Sequence, residues 1–161
     1  MNEIIKSLNE RKSVREYLPK EIPAEIKQQI LNAALQAPTA GNMCLYTIID
    51  VRNQEIKNKL AVSCDNQPFI KTAPMVLIFC ADCLKWYDAF KTAACEPRLP
   101  GVGDLLLAVD DALIAAQNAV TAAESFGIGS CYIGDIMENC EQHRKLLHLP
   151  EFVFPCCMLV F

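Results

Sequence analysis

The chain has 161 residues and a mass of 17.9 kDa, the usual size of one domain, so a single core over residues 1–161 is expected. With 52% hydrophobic and 21% charged residues it can fill that core, which excludes disorder as the main description. A formal charge of −4, from 15 basic and 19 acidic side chains, leaves no electrostatic footprint for nucleic acid, so any anion must be held by a local cluster.

Residues 2–10 carry Ile4, Ile5 and Leu8 at helical spacing, and residues 23–36 form a second helix. There Pro23 suits the first turn, Ile26, Ile30, Leu31, Ala34 and Leu35 line one face, and Pro38 stops it. Residues 46–51 (YTIIDV) read as a strand, 54–61 as a short helix, and 74–80 (PMVLIFC) as a buried strand without alternation. Two prolines and two glycines make 96–103 a loop. The strongest helix runs from 104 to 126, with Leu106, Val109, Leu113, Ala116, Gln117, Val120 and Ala123 near one face and alanines elsewhere. Apolar almost all round, it is expected to be central and buried. Residues 127–129 end it, 130–133 are extended, 138–147 helical, and 152–161 (FVFPCCMLVF) a last buried strand running straight into the C-terminus. The order predicts an α+β or α/β layered fold of one domain, with helices around a mixed sheet.

No apolar run approaches the roughly 20 residues of a membrane helix. The first residues, MNEIIKSLNERKSVREY, are charged throughout, unlike a secretory signal. The expectation is a cytoplasmic protein without a membrane partner. Nine cysteines, at 44, 64, 80, 83, 95, 131, 140, 156 and 157, stand mainly in apolar contexts. A disulfide framework would suit a small secreted domain better, so most are expected to be small buried hydrophobes.

Three segments could carry chemistry. Arg11, Lys12, Ser13 and Arg15 put three cations and a hydroxyl within five residues after a helix, which is either an anion clamp or a solvated basic turn. The run from Ala37 through Pro38, Thr39, Ala40 and Gly41 to Asn42 is a small-residue loop, open to a ligand's approach or an ordinary helix-terminating turn. Gly127, Gly129 and Gly134 fall within eight residues after a buried helix. They do not form the dinucleotide fingerprint, whose glycines lie between a strand and the start of a helix. Cys80-Ala81-Asp82-Cys83 follows a strand, as in thioredoxin-like proteins, but some 40 residues of helical sequence precede the first strand here. A zinc site would need further ligands, and His143 and His148 lie far along the chain, where they read as surface or capping residues. No metal site and no protein-derived acid, base or nucleophile stands out, so if the chain is an enzyme a cofactor is expected to carry the chemistry.

Taken together, the ordered motifs Arg11-x-Ser13-x-Arg15, Pro38-Thr39-Ala40-Gly41-Asn42 and Gly127-Ile128-Gly129 leading to Tyr132-Ile133-Gly134-Asp135 resemble the nitroreductase family of FMN-dependent oxidoreductases. The stretch from Asp110 to Ser125 also looks like that family's central helix. The resemblance implies that Arg11, Lys12, Ser13 and Arg15 hold the phosphate and ribityl chain of FMN. It further implies that Pro38, Thr39, Ala40 and Asn42 border the flavin, in one arrangement from the partner subunit. Gln67 resembles the family's amide contact to the ribityl chain or ring, and Ile133, Gly134 and Asp135 would lie near the N5 edge.

The implied function is transfer of hydride from NAD(P)H to flavin N5 and on to nitroaromatic, quinone or related small-molecule acceptors, in alternating half-reactions. A non-catalytic flavin- or ligand-binding protein on the same scaffold is the alternative. The family forms homodimers with FMN at the subunit interface, and the alanine-rich helix is an apolar surface in want of cover. Where the family often has a Gln-Pro-Trp-like triplet after the Asn, this chain has Cys44-Leu45-Tyr46. The C-terminal arm and basic segment that usually follow the final strand are expected to be absent.

Overall fold

A computed structural model describes residues 2–161. Helix α1 (Glu3–Glu10) starts at Asn2, whose side chain accepts the Ile4 N–H at 2.8 Å. It buries no residue, and Ile4, Ile5 and Leu8 lie exposed. Helix α2 (Ala24–Leu35) follows Pro23 and buries Ile30 and Ala34. After a short 3-10 turn (Ala40–Asn42) come β1 (Tyr46–Asp50), α3 (Gln54–Ser63), α4 (Phe69–Thr72), β2 (Val76–Asp82) and α5 (Leu84–Thr92). The second half comprises α6 (Val102–Ser125), β3 (Cys131–Ile133), α7 (Asp135–Glu138), α8 (Cys140–Leu146) and β4 (Val153–Val160). The single turn α4 is unannounced by the sequence pattern, and α5 is the helix after Cys80-x-x-Cys83.

The strands lie in the order β1-β2-β4-β3. Every pairing among them is antiparallel, so the expected mixed character is confined to one isolated parallel bridge between Ser13 and Ser130. Strand β2 is buried along its whole length because both faces are covered. Leu77, Phe79 and Ala81 join α2 and α6 in one cluster, while Val76, Ile78 and Cys80 join α3, α4 and α7 in the other. Two cores therefore sandwich one sheet. Pro155 has no N–H to donate within β4, and the register shifts opposite Phe79 and Cys80. The Ala81 N–H meets the Cys156 sulfur instead, at 3.1 Å.

Helix α6 corrects one expectation about its own orientation. Its buried face is Ala108, Ala112, Ala115, Ala116, Ala119, Val120 and Ala123, whereas Leu106 and Leu113, on a helix expected to be buried almost all round, are 60% and 39% exposed. Alanine lets the helix axis approach the sheet and α2 closely; leucine at the same positions would hold it off. By length and composition α6 is apolar enough to cross a membrane, but here its alanine face packs against the protein.

The start of α6 is fixed electrostatically. Asp104 accepts the Gly101 N–H at 2.8 Å and pairs with both terminal nitrogens of Arg98 at 2.6 and 2.9 Å. The Arg98 hydrogen bonds, then the Gly101 N–H, hold the Asp104 carboxyl down at about 2. A depressed carboxyl contributes stability above its ordinary value and loses it as pH falls toward the folded value. The pair is on the surface, so the contribution is small. Asp104→Asn is expected to lower the urea midpoint at pH 5, with the difference from wild type shrinking as pH falls to about 2.

Candidate functional site

The basic segment begins where α1 ends, the Arg11 N–H closing on the Ser7 carbonyl at 2.9 Å. It then runs alongside the entry to β3. The Val14 N–H donates to the Ser130 carbonyl at 2.9 Å, forming the parallel bridge. This approach requires glycine at 129, because a Cβ there would overlap the Val14 side chain. Tyr17 fastens the segment from behind, donating its hydroxyl to the Val14 carbonyl at 2.7 Å. Burial pushes the Tyr17 phenol above its ordinary range, so it stays a neutral donor.

Lys12, Ser13 and Arg15 are exposed and Arg11 is half-buried. Among the described residues none of the three cations makes a salt bridge. Arg11 Nη1 is buried without a hydrogen-bond partner, as is the Ser130 hydroxyl nearby. A buried guanidinium N–H left unmatched is costly, and a phosphate oxygen is the acceptor it suits.

From Ser130 the chain runs through β3 to Gly134, about 13 Å further along at strand spacing. Ile133 pairs with Met158 and turns its side chain into the core, while Gly134 is exposed and a Cβ there would meet nothing. Asp135 follows. Its Oδ2 accepts from the Gln67 amide at 3.0 Å, and the same amide reaches the Cys64 carbonyl at 3.0 Å. The turn that delivers Gln67 holds Asp65 and Asn66 at φ of 58° and 52°. The β3 edge thus gathers Arg11, Lys12, Ser13, Arg15, Gln67, Ile133, Gly134 and Asp135 from three separate segments.

The Pro38–Asn42 loop stands apart from that group. It is anchored on the central helix by Asp111, only 2% exposed, whose two oxygens accept the Ala40 N–H at 2.8 Å and the Leu45 N–H at 3.1 Å. Gly41, Asn42 and Cys44 adopt φ of 55°, 57° and 51°, a tight left-handed course that Asp111 and the Thr39 hydroxyl brace. Among the described residues no hydrogen bond joins this loop to the β3 edge. Pro38 and Asn42 are exposed and Thr39 and Ala40 half-buried.

Several supporting residues escape a reading of the sequence. Asp111 sits in the expected helix, but nothing local marks it as inward-facing. Ser130 matters through Val14, far along the chain, and Tyr17 through the bridge that its hydroxyl braces at the Val14 carbonyl. His143, expected at the surface or as a cap, is completely buried between α3, α7 and α8; its polar neighbours lie on other elements. The cysteines behave as expected: Cys64, Cys80, Cys83, Cys131, Cys156 and Cys157 are buried and all nine are free. Burial pushes Cys80 up to about 12 and raises Cys83 as well, which suppresses the thiolate a dithiol exchange needs.

The fold is thus a sandwich of two cores on one antiparallel sheet, with an anion-competent basic segment lashed to its short edge strand. The chain belongs to the nitroreductase family, whose model matches residues 8–161. It is 37% identical over 166 residues to the NAD(P)H FMN reductase of Bacillus subtilis (strain 168), covering 99% of this chain and 65% of that one. The structure of B. megaterium NfrA2 superposes with a TM-score of 0.94 at 35% identity, again over 99% of this chain and 65% of that chain. The NADPH:FMN oxidoreductase from Vibrio harveyi, complexed with NAD+, superposes with a TM-score of 0.92 at 29% identity, covering 99% and 67%. The chain spans about two thirds of the length of these relatives.

Two substitutions test the construction. Gly129→Ala should force Val14 away from Ser130 and cost about 1–3 kcal/mol, read as a lower urea midpoint. Asp111→Asn leaves one of two buried N–H groups facing an amide donor and should cost about 1–3 kcal/mol by the same measurement.

Proposed function

We propose that this protein is an FMN-dependent NAD(P)H oxidoreductase acting on nitroaromatic, quinone or related small-molecule acceptors. The observation that carries the reading is the buried, unpartnered Arg11 Nη1 within a segment of three cations free of salt bridges. The residues fit the cofactor: Arg11, Lys12, Ser13 and Arg15 would hold the phosphate, and Gln67 the ribityl chain or the ring. Gly134 and Asp135 would offer backbone N–H groups at the ring edge, where an exposed glycine leaves room for close approach. When bound, FMN supplies the redox chemistry, accepting a hydride from NAD(P)H and delivering it to the acceptor in a ping-pong cycle. The protein's own part is to hold, orient and shield.

Pro38, Thr39, Ala40 and Asn42 reach the flavin from the partner subunit of a homodimer, which accounts for a loop braced on α6 and unconnected to the β3 edge of its own chain. The apolar surfaces available for that dimer are the outward side chains of α6, including Leu106, Leu113 and Ile114, and those of α1. A cytoplasmic location accords with this chemistry, since NAD(P)H is an intracellular reductant.

Protein purified without added flavin, then loaded with FMN, should show the flavin visible band, and anaerobic NADH or NADPH should bleach it. Arg11→Gln is expected to weaken FMN binding tenfold or more, about 1.4 kcal/mol, with the far-UV spectrum unchanged. FMN binding without bleaching by either nucleotide would make the chain a flavin holder instead. Failure to bind FMN at all would refute the reading. Sedimentation at micromolar concentration should give a dimer; a 17.9 kDa species alone would exclude one.

A further inference from the structure

Close to the proposed site, α8 carries a side chain for which flavin binding offers no direct task. His143 is completely buried, so no substrate can reach it. Its ring nitrogens are both engaged: Nδ1 lies 2.8 Å from the Ile136 carbonyl and Nε2 2.8 Å from the Ser63 hydroxyl. A carbonyl can only accept, so Nδ1 bears the hydrogen and donates it. In the neutral ring Nε2 then accepts from Ser63. Cys64 Sγ is 3.8 Å from Nε2, but burial pushes that thiol up to about 12, so no thiolate forms to pair with the ring.

The two groups tied by the ring belong to the two segments that present Gln67 and Asp135. Ile136 is the residue after Asp135, and Ser63 ends α3, the helix that leads into Gln67. Gln67 closes the circuit, donating to the Cys64 carbonyl and to Asp135, each at 3.0 Å. Asn139 adds a second strut, its Nδ2 donating to the Ser63 carbonyl at 3.2 Å. Among the described residues His143 and Gln67 are the side chains that bond both segments directly. One faces the core and the other faces the site.

We propose that His143 is a positioning residue that fixes the Gly134–Ile136 backbone against the end of α3, and so sets where the backbone donors meet the flavin edge. The proposal rests on the FMN reading. Reduced flavin carries more negative charge on its ring than oxidised flavin and draws more from fixed N–H donors. Loosening those donors therefore weakens binding of the reduced form more than the oxidised form.

Two measurements test this, one of them independent of flavin. In the apo protein, His143→Phe should speed amide exchange of residues 64–67 and 134–137 tenfold or more, leaving the middle of α6 protected. In the FMN-loaded protein it should weaken reduced FMN about tenfold more than oxidised FMN, a fall of about 30 mV in the two-electron midpoint potential. His143→Asn, whose amide can replace the Nδ1 donor to Ile136, should restore most of both. His143→Gln, which retains only the reach toward Ser63, should not. Should the Phe variant fail to fold, Ser63→Ala removes one bond only and should shift both readouts in the same direction by a smaller amount. A core substitution far from the site, Phe79→Leu, should lower the urea midpoint without moving the potential. Unchanged exchange, or an unchanged potential in a chain that binds FMN, overturns the role of His143 alone. A wild-type chain that binds no FMN overturns the flavin reading, and this role with it.

Discussion

Because Ala108, Ala112, Ala115, Ala116, Ala119 and Ala123 all face inward, α6 can lie closer to the sheet and to α2 than a leucine-faced helix could. That depth carries Asp111 under the Pro38–Asn42 loop, where its carboxyl oxygens satisfy two backbone N–H groups that would otherwise be buried unmatched. It also lets Asn118 reach across to the Ala33 carbonyl at 3.1 Å, tying α2 to the same helix. The small residues thus decide where the larger pieces go. Their cost is that the leucines of α6 are left pointing outward, so one helix is both the floor of the core and an apolar outer surface.

Much of the fold was legible because its signals are local. The face of α2 from Ile26 to Ala34, though not Leu35, which is 55% exposed, the stop at Pro38, the apolar run of β2 and the length of α6 each follow from neighbouring residues. The inward face of α6 was not legible, since hydrophobicity ranks leucine above alanine and the deciding quantity is the distance to a sheet that the sequence does not show. The antiparallel pairing of every strand was hidden for a similar reason, being set by connections across the whole chain. The candidate site divides in the same way. Arg11 and Arg15 announce themselves as charge, and Gly134 as flexibility, whereas the contact that joins their segments, Val14 against Gly129, spans more than a hundred residues. His143 looked like a surface residue because its partners, the Ser63 hydroxyl and the Ile136 carbonyl, carry no compositional mark.

The cysteines show how a conspicuous composition can have a plain cause. Strands β2 and β4 are covered on both faces, and a small polarizable side chain fits where two helical layers close on one sheet. Cys156 does more than fill space: at the break in register beside Pro155 its sulfur receives the Ala81 N–H that the ladder leaves over. Burial that raises these thiols also keeps their thiolate scarce, which guards them against oxidation and cross-linking.

Strand β3 is only three residues long and is the last in the sheet, so its outer side would present unpaired backbone groups to any passing strand. The Ser13–Ser130 bridge places the basic segment along the approach to that side, and a row of cations is a poor template for another chain. The same five residues therefore stand where a strand from another chain would have to pair with β3, on a side of the sheet that the proposed dimer does not use for strand pairing.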